Sequence, residues 1–299
     1  MSREIAVLGG TGNIGRALLR ELAGLGHRAV ALVRPGRAAA VAEYARPVEV
    51  ERETEAGEEG FVRALKGCAA LFLLTPFHPR QDLLQRRLAR AAADAGVGHV
   101  VKVSALGADP ASPVLVHRQH GIAEQALAEL GLPYTSLRPN AFMQNAVQWL
   151  PTIASRGAVI LPAGRARVSM VDVRDIAAAA AALLTGPPPP GRGGEVYELT
   201  GPEALGYADV AAALSAAAGR EIRYLDVPPA RAAEAMRAGG VPEWAIEARL
   251  QLYGTYVAGE AETVTGAVKE LTGREPRSFA AFAAELAPRL KMERKGEGP

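Results

Sequence analysis

The chain has 299 residues, 49% hydrophobic and 22% charged, with a formal net charge of +2. That balance fits a soluble globular protein and implies no polyanionic partner such as nucleic acid. The single cysteine, Cys68, excludes an intramolecular disulfide, and the run IAAAAAALL is too short for a membrane span, which takes about 20 apolar residues.

The N-terminus enters a strand-like run, EIAVLG (4–9), with no basic leader, which points to a cytoplasmic protein. Ile14, Leu18, Leu22 and Leu25 then recur at helical spacing, and Gly24 and Gly26 close that helix. Further strands are expected at RAVALV (28–33), PVEVE (47–51), ALFLLT (70–75), HVVKVS (99–104) and PYTSLR (133–138). They are apolar on both faces, as buried parallel strands must be. DLLQRRLARAAADAG and HRQHGIAEQALAELG read as amphipathic helices between them. The fold class expected is α/β, a Rossmann-type doubly wound parallel sheet with a smaller C-terminal α/β substrate domain. The first domain is drawn over 1–150 and the second over 151–299, with 168–184 returning to the first. GPPPPGRGG (186–194) reads as an exposed connector, followed by a strand at EVYELTG, a helix at YADVAAALSAAAG and a strand at EIRYLDVP.

Between the first strand and helix lies LGGTGNIGRALL, in which Gly9, Gly12 and Gly15 are spaced G-x-x-G-x-x-G. Glycine permits the tight turn, lets backbone N–H groups approach a pyrophosphate, and leaves the helix N-terminus facing that charge. The second strand ends in VRPGR, and no Asp or Glu occurs between Glu21 and Glu43. An NAD site wants a carboxylate there for the ribose 2′-hydroxyl; Arg34, with Arg37 nearby, suits a 2′-phosphate instead. NADP(H) is therefore expected over NAD(H).

The fifth strand ends at Ser104, but no Tyr-x-x-x-Lys follows it. In the next helix His117, His120, Gly121 and Glu124 share one face. Three readings stand side by side. His120 donates a proton or hydrogen bond to substrate, charged by Glu124 one turn on. Alternatively, His120 and Glu124 pin the helix to the sheet. In the third, His117, His120 and Glu124 bind a metal, although the spacing is not a strong zinc signature and no cysteine supports it; no metal is expected. Gly121 would let another backbone or the cofactor come close.

The ordered set GGTGNIG, LVRPGR, LLTPF, VVKVSALGA, HGIAEQAL, PYTSLRPNAF, VDVRDIAAA, YELTGPEAL and LTGREPRSF resembles the NmrA-like atypical short-chain dehydrogenase/reductases, in the branch of quinone and triphenylmethane-dye reductases. The resemblance puts Gly9, Thr11, Gly12, Asn13, Ile14 and Gly15 on the pyrophosphate and Arg34 on the 2′-phosphate. It implies that Leu74, Thr75 and Pro76 line the end of the fourth strand, and that Lys102, Ser104 and Pro139 approach the nicotinamide. Thr54 stands where relatives carry an adenine-side aspartate.

The expected function is an NADPH-dependent reductase that passes hydride to a small conjugated acceptor such as a quinone or enone. Such an acceptor gives a delocalised product and needs less help from a positioned acid than a ketone does. Ser104, His120 and Lys102 are the catalytic candidates; Phe77, His117, Phe142 and Met143 are the substrate candidates. Leu106, Trp149, Trp244, Tyr253 and Tyr256 are further apolar walls. The alternatives are a non-catalytic NADP(H) redox sensor and a non-redox biosynthetic enzyme on the same scaffold. A monomer or homodimer is expected, with no nucleic-acid or membrane partner.

Overall fold

The computed structural model describes residues 4–51, 55–187, 191 and 193–292. In chain order its elements are β1 (Glu4–Leu8), α1 (Asn13–Gly24), β2 (Ala29–Val33), β3 (Ala45–Glu49), α2 (Glu55–Leu65), β4 (Cys68–Leu73), α3 (Gln81–Asp94), β5 (His99–Val103), α4 (Leu115–Glu129) and β6 (Tyr134–Pro139). There follow α5 (Leu150–Arg156), β7 (Ala158–Leu161), β8 (Arg167–Val168), α6 (Val173–Thr185), β9 (Gly193–Leu199), β10 (Leu205–Gly206) and α7 (Tyr207–Ala218). The last are β11 (Arg223–Asp226), α8 (Pro229–Ala238), α9 (Glu243–Val257), α10 (Ala267–Thr272) and α11 (Phe279–Met292). Thr54 lies outside the described residues.

The chain folds as two compact units, the first of 1–139, 173–199 and 267–273, the second of 140–172, 200–266 and 274–299. The first is a seven-stranded sheet ordered β3-β2-β1-β4-β5-β6-β9, with every neighbouring pair parallel. Helices α2, α3 and α4 pack in one row, and α1, α6 and α10 in another. This is the doubly wound Rossmann arrangement.

Strand β2 shows why these runs become central strands: all five residues of AVALV are buried. Helix α1 buries Ile14, Leu18, Leu19 and Leu22 as one stripe. It stops at Gly24–Leu25–Gly26, where Gly26 takes φ +82° and the His27 N–H donates to the Leu22 carbonyl oxygen at 2.9 Å. Leu8, Leu32, Leu71, Leu73 and Leu88 meet in the core of this unit. Full burial of such a side chain is worth roughly 1.5–3 kcal/mol.

The border falls earlier than the expected residue 150, because Phe142 bridges Val171 and the Met143 N–H donates to the Val171 carbonyl oxygen, both within the second unit. The return begins at Val173 rather than 168, since Val168 pairs with Leu205 in the second unit. It runs on to Leu199, because β9 must ladder with β6 to complete the sheet. Gly193 and Gly194, expected within the connector, are the first residues of β9, where Gly193 passes so close to Tyr134 that a Cβ would meet its backbone N at 2.4 Å.

In the second unit β7 pairs in parallel with β11, and β8 pairs antiparallel with β10. Helix α11 packs against α7, and Trp149, Ile153, Val159, Leu214 and Phe279 share the core. Among the described residues, no helix is long and apolar enough to cross a membrane.

Candidate active site

In a doubly wound sheet the ligand crevice lies at the carboxyl ends of the strands, where the strand order reverses. Here that point is between β1 and β4. Gly9 closes β1 with φ +86°, and a Cβ on it would stand 2.8 Å from the carbonyl oxygen of Leu74, just past β4. Gly15, one turn into α1, is tighter: a Cβ there would lie 2.1 Å from the carbonyl oxygen of Gly9. Gly12 differs, since a Cβ would meet only the Gly9 oxygen, at an ordinary 3.4 Å. Gly12 and Asn13 are exposed, Thr11 is half-buried and the Ile14 side chain is buried. Ile14 therefore offers a ligand its backbone N–H and not its side chain. The N-cap of α1 makes no side-chain hydrogen bond and the first turn holds no acid. A tight glycine turn with uncapped N–H groups fits a pyrophosphate.

Arg34 and Arg37 stand exposed in the turn after β2. Past β4, Thr75 is buried, while Pro76 and Phe77 are exposed. Thr75 Oγ1 accepts a hydrogen bond from Gln85 Nε2 at 2.7 Å. The loop after β5 is tied to β6: Ser104 N–H donates to the Leu137 carbonyl oxygen at 2.7 Å and Leu106 N–H to that of Pro139 at 3.0 Å.

Beneath these strand ends lies a buried polar cluster. Lys102, on β5, has 0% exposure. Its Nζ stands 2.9 Å from Nδ1 of His120 on α4, and also donates to the Val103 carbonyl oxygen at 3.4 Å. Burial drives the lysine pKa down to about 7, against a raising pull from Glu124 and helped by a lowering push from Arg138. His120 is held well below the usual imidazole value, first by burial, then by the charges of Lys102 and His117. A protonated Lys102 can only donate, so Nδ1 of His120 accepts and the ring proton sits on Nε2. Nε2 lies 3.5 Å from Gln81 Nε2, while Gln81 Oε1 is buried without a partner. A half-turn of that amide sets Oε1 on the ring N–H and satisfies both groups.

Glu124 does not hold His120, as the helical spacing suggested. Its carboxylate turns toward the sheet, where Arg138 on β6 grips it through Nε at 3.1 Å and Nη2 at 2.5 Å, and Ser104 Oγ donates to Oε1 at 2.5 Å. Burial pushes the Glu124 carboxyl up, but the hydrogen bonds from Arg138 and Ser104 outweigh it and hold it below the usual range. Of the three readings, the one in which Glu124 charges His120 is thus overturned: the imidazole faces a lysine, not a carboxylate. Ser104 has spent its proton on Glu124 and offers a ligand only lone pairs. Among the described residues, no three His, Cys, Asp or Glu side chains converge as metal ligands.

His117 is buried against Gly107, where a Cβ would stand 2.8 Å from the imidazole Cε1. Gly121 makes room for a backbone: a Cβ there would lie 2.2 Å from Pro110 N. Phe77 is 40% exposed. Phe142 and Met143 belong to the second unit, with Phe142 half-buried and Met143 fully in that unit's core beside Ala146 and Trp149. Met143 and Trp149 are therefore packing residues there. Tyr253 and Tyr256, half-buried in the same unit, meet edge to face at 5.8 Å.

Sequence reasoning missed Gln81, Gln85 and Arg138. The glutamines sit four apart on α3, in line with buried Leu88, Ala89 and Ala92. Polar residues on an otherwise apolar stripe were the signal.

The description of the NmrA-like family matches residues 1–283. Over 283 residues the chain is 39% identical to an NAD(P)H azoreductase from Xenophilus azovorans, covering 93% of this chain and 96% of that one. It is 37% identical over 292 residues to a (4-alkanoyl-5-oxo-2,5-dihydrofuran-3-yl)methyl phosphate reductase from Streptomyces griseus, covering 97% and 100%. Its fold superposes with a TM-score of 0.84 on an NADPH-dependent quinone oxidoreductase from Escherichia coli complexed with NADPH, at 27% identity, covering 94% and 99%.

Proposed function

The chain belongs to the NmrA-like family, and from that premise we propose that it is an NADPH-dependent reductase of small conjugated acceptors: quinones, enones and azo compounds. The observation that carries this reading is the glycine turn at the β1–β4 switch point, with two exposed arginines ending β2. When bound, the nicotinamide cofactor supplies the hydride.

The chain's own residues bind and orient. Backbone N–H groups of Thr11, Asn13, Ile14 and Gly15 hold the pyrophosphate, Gly9 and Gly12 make the turn, the Gly12 N–H donating to the Gly9 carbonyl oxygen at 3.0 Å, and Arg34 takes the 2′-phosphate. Leu74, Thr75, Pro76 and Pro139 line the crevice. Ser104, fixed by Glu124, accepts a hydrogen bond from whatever N–H the ligand presents. Lys102 and His120 act as positioning residues, since Lys102 is shut away from solvent and both ring nitrogens of His120 face protein groups. Phe77 and His117 are the substrate-facing candidates.

Helix α4 carries no Tyr-x-x-x-Lys. An acceptor whose reduced form delocalises its charge can draw its proton from water. The test is NADPH oxidation at the nicotinamide absorbance band against a panel of quinones, enones, azo compounds and cationic dyes. Turnover supports the reading; binding of NADPH without oxidation across the panel overturns it.

A further inference from the structure

A carboxylate reaches the turn after β2 from the neighbouring strand. The turn after β2 runs Arg34–Pro35–Gly36–Arg37, with the Arg37 N–H donating to the Arg34 carbonyl oxygen at 3.1 Å and Gly36 at φ +76°. Proline followed by a residue at positive φ is the signature of a type II turn. Strand β3 lies alongside, with Glu49 in register with Val33, the residue before Arg34, and the Val50 N–H donating to the Val33 carbonyl oxygen at 2.8 Å. From there the Glu49 side chain reaches into the turn, and its Oε1 accepts the Gly36 N–H at 2.9 Å. Among the described residues, neither Arg34 nor Arg37 makes an ion pair with a carboxylate. Two guanidiniums and one carboxylate thus share the place where a dinucleotide presents its adenosine 2′-position.

Resting on the nucleotide reading above, we propose that Glu49 is the specificity-determining residue of this site. Its Oε1 holds the turn that carries Arg34, and its other oxygen accepts the 2′-hydroxyl of an unphosphorylated ribose. The same negative charge opposes a 2′-phosphate. The chain therefore binds both NADPH and NADH, and Glu49 limits the preference for NADPH.

Two substitutions separate these effects. Glu49→Gln keeps an oxygen for Gly36 and removes the charge. Glu49→Ala removes both. Dissociation constants for NADPH, NADH, adenosine 2′,5′-bisphosphate and AMP are measured by calorimetry on the full chain. Taking away one charge a few ångströms from a solvated phosphate strengthens binding about three- to tenfold. Glu49→Gln is expected to tighten NADPH and the bisphosphate by that factor, to weaken NADH, and so to raise the NADPH:NADH preference roughly tenfold or more. Glu49→Ala is expected to bind NADPH less tightly than Glu49→Gln, because the turn loses its anchor. An unchanged or lowered preference in Glu49→Gln, with the wild type binding normally, overturns the inference alone. A wild type that binds neither dinucleotide overturns the functional reading and this inference together.

Discussion

Lys102 Nζ lies 2.9 Å from His120 Nδ1 with no solvent exposure, so a buried lysine here has an imidazole for its nearest polar partner. The consequence is a measurable link between stability and pH. Lysine ordinarily titrates at 10.5, and in this fold at about 7. Between those values the unfolded chain binds a proton that the folded chain does not, so stability rises with pH by up to about 1.4 kcal/mol per unit. Below the lower value both states are protonated, and the full cost of burying the charge is present. Urea unfolding should show the wild type gaining about 2–3 kcal/mol relative to Lys102→Met between about pH 7 and about pH 9. Parallel curves for the two proteins would mean that Lys102 is charged throughout.

Arg138 and Glu124 join β6 to α4 with the carboxylate buried. Removing the guanidinium leaves that carboxylate holding only Ser104. Arg138→Met should cost about 2–3 kcal/mol near neutral pH, less than for a fully buried pair because Arg138 keeps some solvent contact. Its effect should also shrink in acid. The depressed Glu124 pKa stabilises the fold above the usual carboxylate range, and that contribution is lost as pH falls through the lowered value. Denaturation of both proteins at neutral and acid pH checks this. A loss that does not diminish in acid would separate Arg138 from Glu124.

The glycines of the first turn divide by role. Gly15→Ala places a Cβ 2.1 Å from the Gly9 carbonyl oxygen and should destabilise the fold by several kcal/mol. Gly12→Ala meets nothing closer than 3.4 Å. It should melt within a few degrees of the wild type yet weaken NADPH about tenfold or more, because the methyl group occupies space the pyrophosphate needs. Calorimetric melting and NADPH titration read the two outcomes separately. Gly12→Ala with unchanged NADPH affinity would remove the pyrophosphate from this turn.

The strands and the glycine turn were legible because a buried parallel strand is apolar on both faces and the phosphate turn has a fixed spacing. Helix α4 was legible as a helix, and the placing of His117, His120, Gly121 and Glu124 on one buried face followed from its period. The partners on that face were not legible. Helical spacing makes His120 and Glu124 neighbours, but each is drawn across to a different strand, His120 to Lys102 on β5 and Glu124 to Arg138 on β6. Only the stacking of helix on sheet decides such pairings, and it turns Lys102, expected beside the nicotinamide, into the protein with no solvent exposure. Strands β8 and β10 escaped notice because each has only two residues. Glu49 was read as an ordinary strand residue because its reach to Gly36 depends on the register of β3 against β2.

Reduction of a conjugated acceptor at the expense of bound NADPH is the activity that most needs measuring. The direct test is a single-turnover mix of the preformed NADPH complex with a simple benzoquinone, followed at the nicotinamide absorbance band against the same mix without protein. One equivalent of NADPH should be oxidised per site, faster than in the uncatalysed reaction. Tight NADPH binding with an absorbance that stays at the uncatalysed rate would contradict it and make the chain a nucleotide sensor on a reductase fold.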